Sequence, residues 1–387
     1  MVSQKHLRTK ANRRPKASQG VDVPFLALVL LLLILGLAVL YSASYAQSQY
    51  DTGYVSSTRY LQKQGVCALI GLIAMYFFSR IPGRLWHQLA WPIYAGGILL
   101  LLAVLVFGQS VNGAKRWINI AGVQFQPSEI AKFSMILLLA RLTCRYGEDA
   151  ASFRHGVLGF GCAMLGLLIP LALEKHLSAI MLMGMVGVVM MFIAGTKPKW
   201  LLLGAAAAAV FVLIYISFMG YAGDRVTAWL HPEQDPSNTG YQILQSLYAI
   251  GSGGLFGLGF GRSRQKYLYL PFQYNDYIFA VLCEELGLIG AILIILLFSA
   301  TIARGYWIAL RARDRFSTVL AAGLVTLIAV QTILNLGVVT NLLPSTGIAL
   351  PFFSYGGTAL AVNLGEMGIL LSISRHRNEP KIQEEIP

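Results

Sequence analysis

Val23-Pro24-Phe25-Leu26-Ala27-Leu28-Val29-Leu30-Leu31-Leu32-Leu33-Ile34-Leu35-Gly36-Leu37-Ala38-Val39-Leu40 contains no charged side chain. About 20 such residues, wound as a helix, cross a hydrocarbon core of ~30 Å with every backbone polar group satisfied inside the segment. The run is longer than the apolar centre of a secretory leader, and no convincing small-residue cleavage site follows it. It reads as a retained first membrane span.

The rest of the chain repeats that theme. Of 387 residues, 56% are hydrophobic and only 12% charged, and the mean hydropathy is +0.63. A soluble domain of this size needs more charge to cover its surface. The apolar runs predict ten transmembrane helices, at 23–43, 61–79, 88–107, 128–143, 155–173, 177–195, 200–220, 277–304, 316–340 and 347–373. The fold class expected is an all-α polytopic membrane protein, with a basic tail (1–20), a ten-helix domain (21–376) and a short C-terminal tail (377–387). The fourth span is short and carries Lys132, which makes it the weakest of the ten.

Orientation follows from where Lys and Arg fall. With the N-terminus inside, the tail supplies Lys5, Arg8, Lys10, Arg13, Arg14 and Lys16, and the segment after the eighth span supplies Arg304, Arg311, Arg313 and Arg315. The outward segments hold far fewer. Both termini are therefore expected in the cytoplasm. The net charge of +13 is an orientation signal and a match to anionic membrane lipid, not a nucleic-acid footprint. Cys67, Cys144, Cys162 and Cys283 form no CxxC pair and read as small core hydrophobes.

One large outward loop is expected, from Tyr221 to Asp276, between spans seven and eight. His231-Pro232-Glu233-Gln234-Asp235-Pro236 is turn chemistry. Gly240 to Ile250 then places Tyr241, Leu244, Leu247 and Tyr248 at helical spacing, the pattern of a short interfacial helix. Gly251, Gly253, Gly254, Gly257, Gly259 and Gly261 follow, either packing backbone closely or hinging a loop around a bulky substrate. They lack GxGxxG spacing and a strand–turn–helix setting, and no Walker sequence is present, so no nucleotide cofactor is expected.

Four groups of residues are able to carry chemistry. Arg262, Arg264 and Lys266 sit outside against the positive-inside bias, as snorkelling cations or as a site for a phosphorylated lipid headgroup. Asp276 opens the eighth span, as a first-turn carboxylate matched to the helix dipole or as a catalytic carboxylate at the membrane boundary. Glu129 and Lys132 share a helix face at i, i+3, so they pair or face a cavity. Asn335 to Gly357 breaks helix with prolines and glycines, which at membrane depth is tolerated only against protein or a wet cavity.

Four stretches together resemble the SEDS family (shape, elongation, division and sporulation): GAKRWINIAGVQFQPSEIAK at 113–132, GYQILQSLYAIGSGGLFGLGFG, NDYIFAVLCEELG, and LPSTGIALPFFSYGG. The resemblance runs in order along the chain, and His176-Leu177-Ser178-Ala179 with FFSYGGTALAVNLGEMGILLSISR is more similar to the FtsW and SpoVE types than to RodA. It implies a glycosyltransferase that polymerises lipid II into β-1,4 glycan strands at the outer face of the bacterial cytoplasmic membrane, with Asp276 as the catalytic aspartate. Arg116, Glu129, Lys132, Arg264, Lys266 and Ser354 become candidate substrate-binding residues, the cations as partners of the leaving diphosphate.

The resemblance also leaves room for a divalent cation, magnesium or manganese, at Asp276, and implies a class B penicillin-binding protein and other divisome membrane proteins as partners at the division septum. Phe272 stands where the family commonly has Glu, which puts a second loop carboxylate in doubt, and Glu174-Lys175 stands where the family usually has Gln-Pro or Glu-Pro before the sixth span. A lipid II flippase and a non-catalytic divisome scaffold are the rival functional classes.

Overall fold

The computed structural model describes residues 20–111, 114–120, 123–204, 206, 227–234 and 239–375. The expected seventh span therefore lies for the most part outside the described residues, as do the N-terminal tail to residue 19, the C-terminal tail, and the turn residues 235–238.

Asp22 starts α1 (Val23–Asp51) as its N-cap, its carboxylate accepting from the Phe25 N–H at 3.1 Å. Nothing in Tyr41–Asp51 breaks helix, so α1 runs two turns past its expected end and closes at Thr52-Gly53, with Gly53 at φ +60°. α2 (Arg59–Phe78) and α3 (Gly83–Phe107) follow as antiparallel neighbours in sequence. A three-stranded antiparallel meander then fills what reads from sequence as loop: β1 (Gln109–Val111), β2 (Ala114–Ile120) and β3 (Val123–Phe125), in the order β1-β2-β3. Trp117 faces Gln109 and Ile118 faces Phe125 in the two ladders.

α4 (Pro127–Tyr146) opens on proline at its first turn and is buried along most of its length. That explains the weak hydropathy of the expected fourth span. Packed against protein rather than lipid, it carries Ser128, Glu129, Lys132 and Ser134 inside the bundle. α5 (Phe160–Leu173) continues a π-helical turn at Arg154–Gly159, and α6 (Leu177–Ile193) is short and apolar. A further helix starts at 198. In the loop region α7 (Thr239–Gly253) is the amphipathic helix the spacing anticipates, but a different face is buried. Ile243, Ser246 and Ala249 point inward, and the Ser246 hydroxyl donates to the Val339 carbonyl at 2.8 Å; Tyr248 is exposed.

α8 (Ile278–Leu310), α9 (Arg315–Val339) and α10 (Gly357–Arg375) complete the bundle. Among the described residues seven helices are long and apolar enough to cross a membrane: α1, α2, α3, the segment Arg154–Leu173, α8, α9 and α10. α9 and α10 are each 78% buried within their most apolar stretch, against 22% for α2. The centre of the protein is thus α4, α9 and α10, and α1, α2, α3 and α8 face lipid.

Two expected spans need correction. The eighth is not one continuous helix. Gly287, at φ +66°, breaks α8, and the carbonyls of Glu284 and Glu285 turn out to accept from Leu258 and Gly259 N–H at 2.9 and 3.0 Å. Beyond the break, Leu288 and Ile289 N–H donate to the carbonyls of Gly254 and Leu255 at 2.9 and 3.2 Å. The glycine stretch is close backbone packing: a Cβ at Gly257 would lie 2.2 Å from the Glu285 carbonyl oxygen. The broken helix is tolerated because the irregular 254–259 segment satisfies the freed groups. The tenth span starts ten residues late, at Gly357, because Pro344, Gly347 (φ +69°), Pro351 and Phe352 (φ +65°) hold 340–356 in irregular backbone.

Candidate active site around Asp276

Asp276 lies half-buried in the turn before α8, and its position is set by three consecutive backbone carbonyls. The Tyr274 carbonyl accepts from Tyr355 N–H at 2.9 Å. The Asn275 carbonyl accepts from the Ser354 hydroxyl at 2.7 Å, and the Asp276 carbonyl from Asn335 Nδ2 at 2.8 Å. Asn335 spends its other amide proton on the Ile348 carbonyl, also at 2.8 Å. One α9 side chain thus joins the Asp276 turn to the irregular segment before α10. Gln64 of α2 fastens that segment from the far side, donating to the Ser354 carbonyl at 3.2 Å and accepting from Gly356 N–H at 3.1 Å. Beneath the carboxylate, Gly347 leaves room that a side chain would take: a Cβ there would sit 3.2 Å from Asp276 Oδ2.

Next to this seat the loop 261–266 is wrapped onto two carboxylates of α8. Glu284 accepts from Ser263 Oγ and from Arg264 N–H (3.0 Å) and Gln265 N–H (3.3 Å). Glu285 accepts from Ser42 Oγ of α1 (2.6 Å), Ser263 N–H (3.2 Å) and Lys266 Nζ (3.0 Å). Both are buried, in the last turn before the break at Gly287. Their charge is met by fixed donors, as burial of a carboxylate requires.

That network gives Lys266 a structural role. Its ammonium has three protons and three partners, Glu285, Ser42 Oγ (3.0 Å) and the Gly261 carbonyl (2.6 Å), and the residue is only 2% exposed. In this structure it holds the loop. Ser354 is likewise engaged in the fold: its buried hydroxyl accepts from Leu350 N–H at 2.8 Å while donating to the Asn275 carbonyl, so it positions the Asp276 turn. Arg264 remains a candidate. Its side chain is exposed and lines an open cleft of about 700 Å³ with Arg262, Gln265, Tyr267 and Tyr269.

Arg116, Glu129 and Lys132 belong to a second group. Glu129 and Lys132 pair at 2.7 Å with both side chains buried, as the i, i+3 spacing anticipates. Glu366 of α10 faces them in the core within electrostatic reach. Arg116 reaches from β2 to donate to the Lys175 carbonyl. Burial lifts the Glu174 carboxyl to about 8, with Arg116 pulling it partway back. Burial, then the positive charges of Arg116 and Lys132, pushes His176 down to about 3, so its imidazole is neutral. This group adjoins the Asp276 seat through Ser178, whose hydroxyl donates to the Thr346 carbonyl, next to Gly347.

The residues that sequence reading missed are Gln64, Glu284 and Glu285, and it placed Asn335 only as the first residue of the helix-breaking stretch 335–357. An amide or a carboxylate within a predicted span is a functional signal by its cost alone, and the adjacent Glu284-Glu285 in an apolar run was legible on that ground.

A family model described as "Cell cycle protein", FTSW_RODA_SPOVE, matches residues 23–379. The chain is 39% identical over 364 residues to a "Probable peptidoglycan glycosyltransferase FtsW" of Geobacter metallireducens, covering 93% of this chain and 96% of that protein. It is 40% identical over 359 residues to "Stage V sporulation protein E" of Bacillus subtilis, covering 92% and 97%. The "Peptidoglycan glycosyltransferase MrdB" of Escherichia coli K12 is 38% identical over 365 residues, covering 92% and 94%. Among solved structures, a chain described under "Structural coordination of polymerization and crosslinking by a peptidoglycan synthase complex" superposes with a TM-score of 0.78 at 28% identity, covering 93% and 99%. The rod shape determining protein RodA of Thermus thermophilus does so at 0.70 and 27%, covering 93% and 98%.

Proposed function

From the premise that this chain belongs to the FTSW_RODA_SPOVE family of cell cycle proteins, we propose that it is a peptidoglycan glycosyltransferase that polymerises lipid II. The observation that carries the reading is the seat of Asp276. A half-buried carboxylate is held at the end of the bundle by three consecutive backbone carbonyls, clamped from two separate segments, α9 and the irregular stretch before α10. Such fixing of one reactive group is what a general base requires, and a passage for solute does not.

In this reading the acceptor presents the 4-hydroxyl of its terminal GlcNAc to Asp276. The carboxylate takes the proton as the oxygen forms its bond to C1 of the donor MurNAc. The C1–O bond to undecaprenyl diphosphate breaks, and the α anomer becomes β. General-base help contributes roughly 10²–10⁴ in rate, and positioning of the two lipid-tethered substrates supplies much of the rest. The leaving diphosphate needs cationic donors; Arg264 on its open cleft and Arg116 beside the Asp276 seat are the two that the geometry favours.

The described residues do not fit a resident divalent ion. Glu284 and Glu285 are saturated by loop donors, and among the described residues no three His, Cys, Asp or Glu side chains converge. No step is therefore derived through a metal.

The Lys and Arg distribution supports a cytoplasmic N-terminus and an outward-facing Asp276. The family description as a cell cycle protein and the relative named for sporulation support a septal or forespore role, and the synthase-complex neighbour supports a class B penicillin-binding protein as partner. The test is to combine the purified chain with its cognate transpeptidase and lipid II. Glycan strands from the wild type and none from Asp276→Asn support the reading. Lipid II scrambling without polymer, unaffected by Asp276→Asn, refutes it in favour of a flippase.

A further inference from the structure

Asp51 closes α1, two turns beyond the expected end of the first span, and that extra length brings it beside Tyr60 at the start of α2. Tyr60 donates its hydroxyl to Asp51 Oδ2, and Gln47 Nε2 donates to Oδ1 at 2.9 Å. The Tyr60 hydroxyl is also 3.5 Å from that of Tyr274. The three rings Tyr60, Tyr274 and Tyr355 form one cluster, with centroids 4.6 Å (Tyr60–Tyr274), 4.9 Å (Tyr60–Tyr355) and 5.9 Å (Tyr274–Tyr355) apart. They come from three segments: α2, the Asp276 turn and the irregular stretch before α10.

Tyrosines near a bundle end are commonly interfacial anchors, ring in lipid and hydroxyl in water. These three do not have that arrangement. Their rings turn onto one another, and two of the hydroxyls are chained to a carboxylate. All three are half-buried and Asp51 is exposed, so the cluster has an accessible rim. The Tyr274 phenol lies within electrostatic reach of both Asp51 and Asp276. Its backbone carbonyl is held by Tyr355 N–H, the same clamp that seats Asp276.

We infer that Asp51, Tyr60, Tyr274 and Tyr355 form a carbohydrate subsite that holds the pyranose ring of the acceptor sugar in register with Asp276. The inference rests on the reading of the chain as a glycosyltransferase. A pyranose offers one face of C–H bonds and a rim of hydroxyls. The C–H face suits the negative face of an aromatic ring, and the hydroxyls suit an ionised carboxylate and phenolic donors. One cation, Arg59, stands at the rim, donating to the Asp51 backbone carbonyl at 3.5 Å and lying within electrostatic reach of Tyr355; a single arginine beside a carboxylate and three rings matches a sugar better than a diphosphate, whose charge needs several cations. Because the cluster and Asp276 share one backbone clamp, a sugar seated on the rings has its hydroxyl placed relative to the base without a separate adjustment. Asp51 is also a second carboxylate on this side of the molecule, which the Phe272 substitution leaves absent from the loop itself.

The test uses the full chain in detergent micelles with N,N′-diacetylchitobiose as the probe, followed by saturation-transfer NMR, and in parallel the polymerisation assay with the cognate transpeptidase. Wild type is expected to bind the disaccharide, Tyr60→Phe to bind it within about twofold because the ring is kept, and Tyr60→Ala and Asp51→Asn to weaken it by about tenfold. In the polymerisation assay the same two variants are expected to raise KM for lipid II by a similar factor with kcat little changed. Asp276→Asn is expected to bind the disaccharide normally while making no polymer.

Absence of binding to the wild type overturns the subsite, as does binding undiminished in both Tyr60→Ala and Asp51→Asn. If those variants keep the wild-type KM while the wild type polymerises lipid II, the subsite falls and the glycosyltransferase reading stands. If the wild type makes no polymer, the glycosyltransferase reading falls, and the disaccharide titration still decides the subsite. Retention of the ring in Tyr60→Phe separates a binding defect from a folding defect.

Discussion

Replacing Asn335 by Ala tests how the candidate base is held. The side chain's two amide protons go to two carbonyls, those of Asp276 and Ile348, both at 2.8 Å, and its Oδ1 has no hydrogen-bond partner among the described residues. Everything the amide does is therefore in those two bonds. Truncation leaves two largely buried carbonyls unpaired, at about 1–3 kcal/mol each, so a loss of about 2–6 kcal/mol is expected, towards the lower end where water reaches the Asp276 carbonyl. The same change frees the Asp276 turn from α9 while leaving the Ser354 and Tyr355 clamps in place. A displacement of about 1 Å at a reacting group costs on the order of 10²-fold in rate. In the polymerisation assay Asn335→Ala is expected to lower kcat by about that factor with a KM for lipid II near the wild-type value, and to lower the thermal denaturation midpoint in detergent. A variant with wild-type kcat and an unchanged midpoint would refute the argument that Asn335 positions Asp276.

Lys266→Met breaks a buried ion pair and leaves Glu285 short of its main counter-charge, a loss of about 3–5 kcal/mol; yield of folded protein should drop, and pairing the change with Glu285→Gln should recover part of it. Gly287→Ala puts a Cβ 2.3 Å from Gly257 N in a residue at φ +66°, so it should destabilise more than Gly290→Ala in the same helix, read as denaturation midpoints. The pH dependence has a worked sign. His176 is held below its ordinary value, at about 3, so its contribution is present above about 6.5 and is lost as pH falls towards 3. Glu174 is held above its ordinary value, at about 8, so its contribution is present below about 4.5 and is lost as pH rises towards 8. Denaturation midpoints should accordingly be flattest between about pH 4.5 and 6.5. Glu174→Gln should remove the alkaline decline and His176→Gln the acid one.

Much of the architecture was legible in the order of the residues. Unbroken apolar runs dictate spans, and those of α1, α2, α3, α6 and α9 begin and end within a few residues of expectation apart from the overrun of α1 and the early start of α3. The Glu129–Lys132 pair follows from i, i+3 spacing within one helix, and α7 from its periodicity, although the face it buries does not. The motif resemblance singled out Asp276. These are local properties: helix and lipid both act on a single segment, so a single segment suffices to read them.

What the tertiary structure decided depends on pairs far apart in sequence. Lys266 meets Ser42 across 224 positions, and Gln64 meets Ser354 across 290. Until α1 and α8 are brought together, an outward lysine after a glycine run is indistinguishable from a ligand for diphosphate. Once they meet, the cost of burying two carboxylates requires its ammonium for the fold. The break in α8 is of the same kind, because a helix interrupted in a membrane survives only where another segment satisfies the freed carbonyls, and Leu258 and Gly259 do so. The first apolar run, Val23 to Leu40, established by its own composition that this chain lives in a membrane. That Asp51 at the end of this helix meets Tyr60, and through it Tyr274 of the Asp276 turn, only the tertiary structure decided, because those partners lie in other segments.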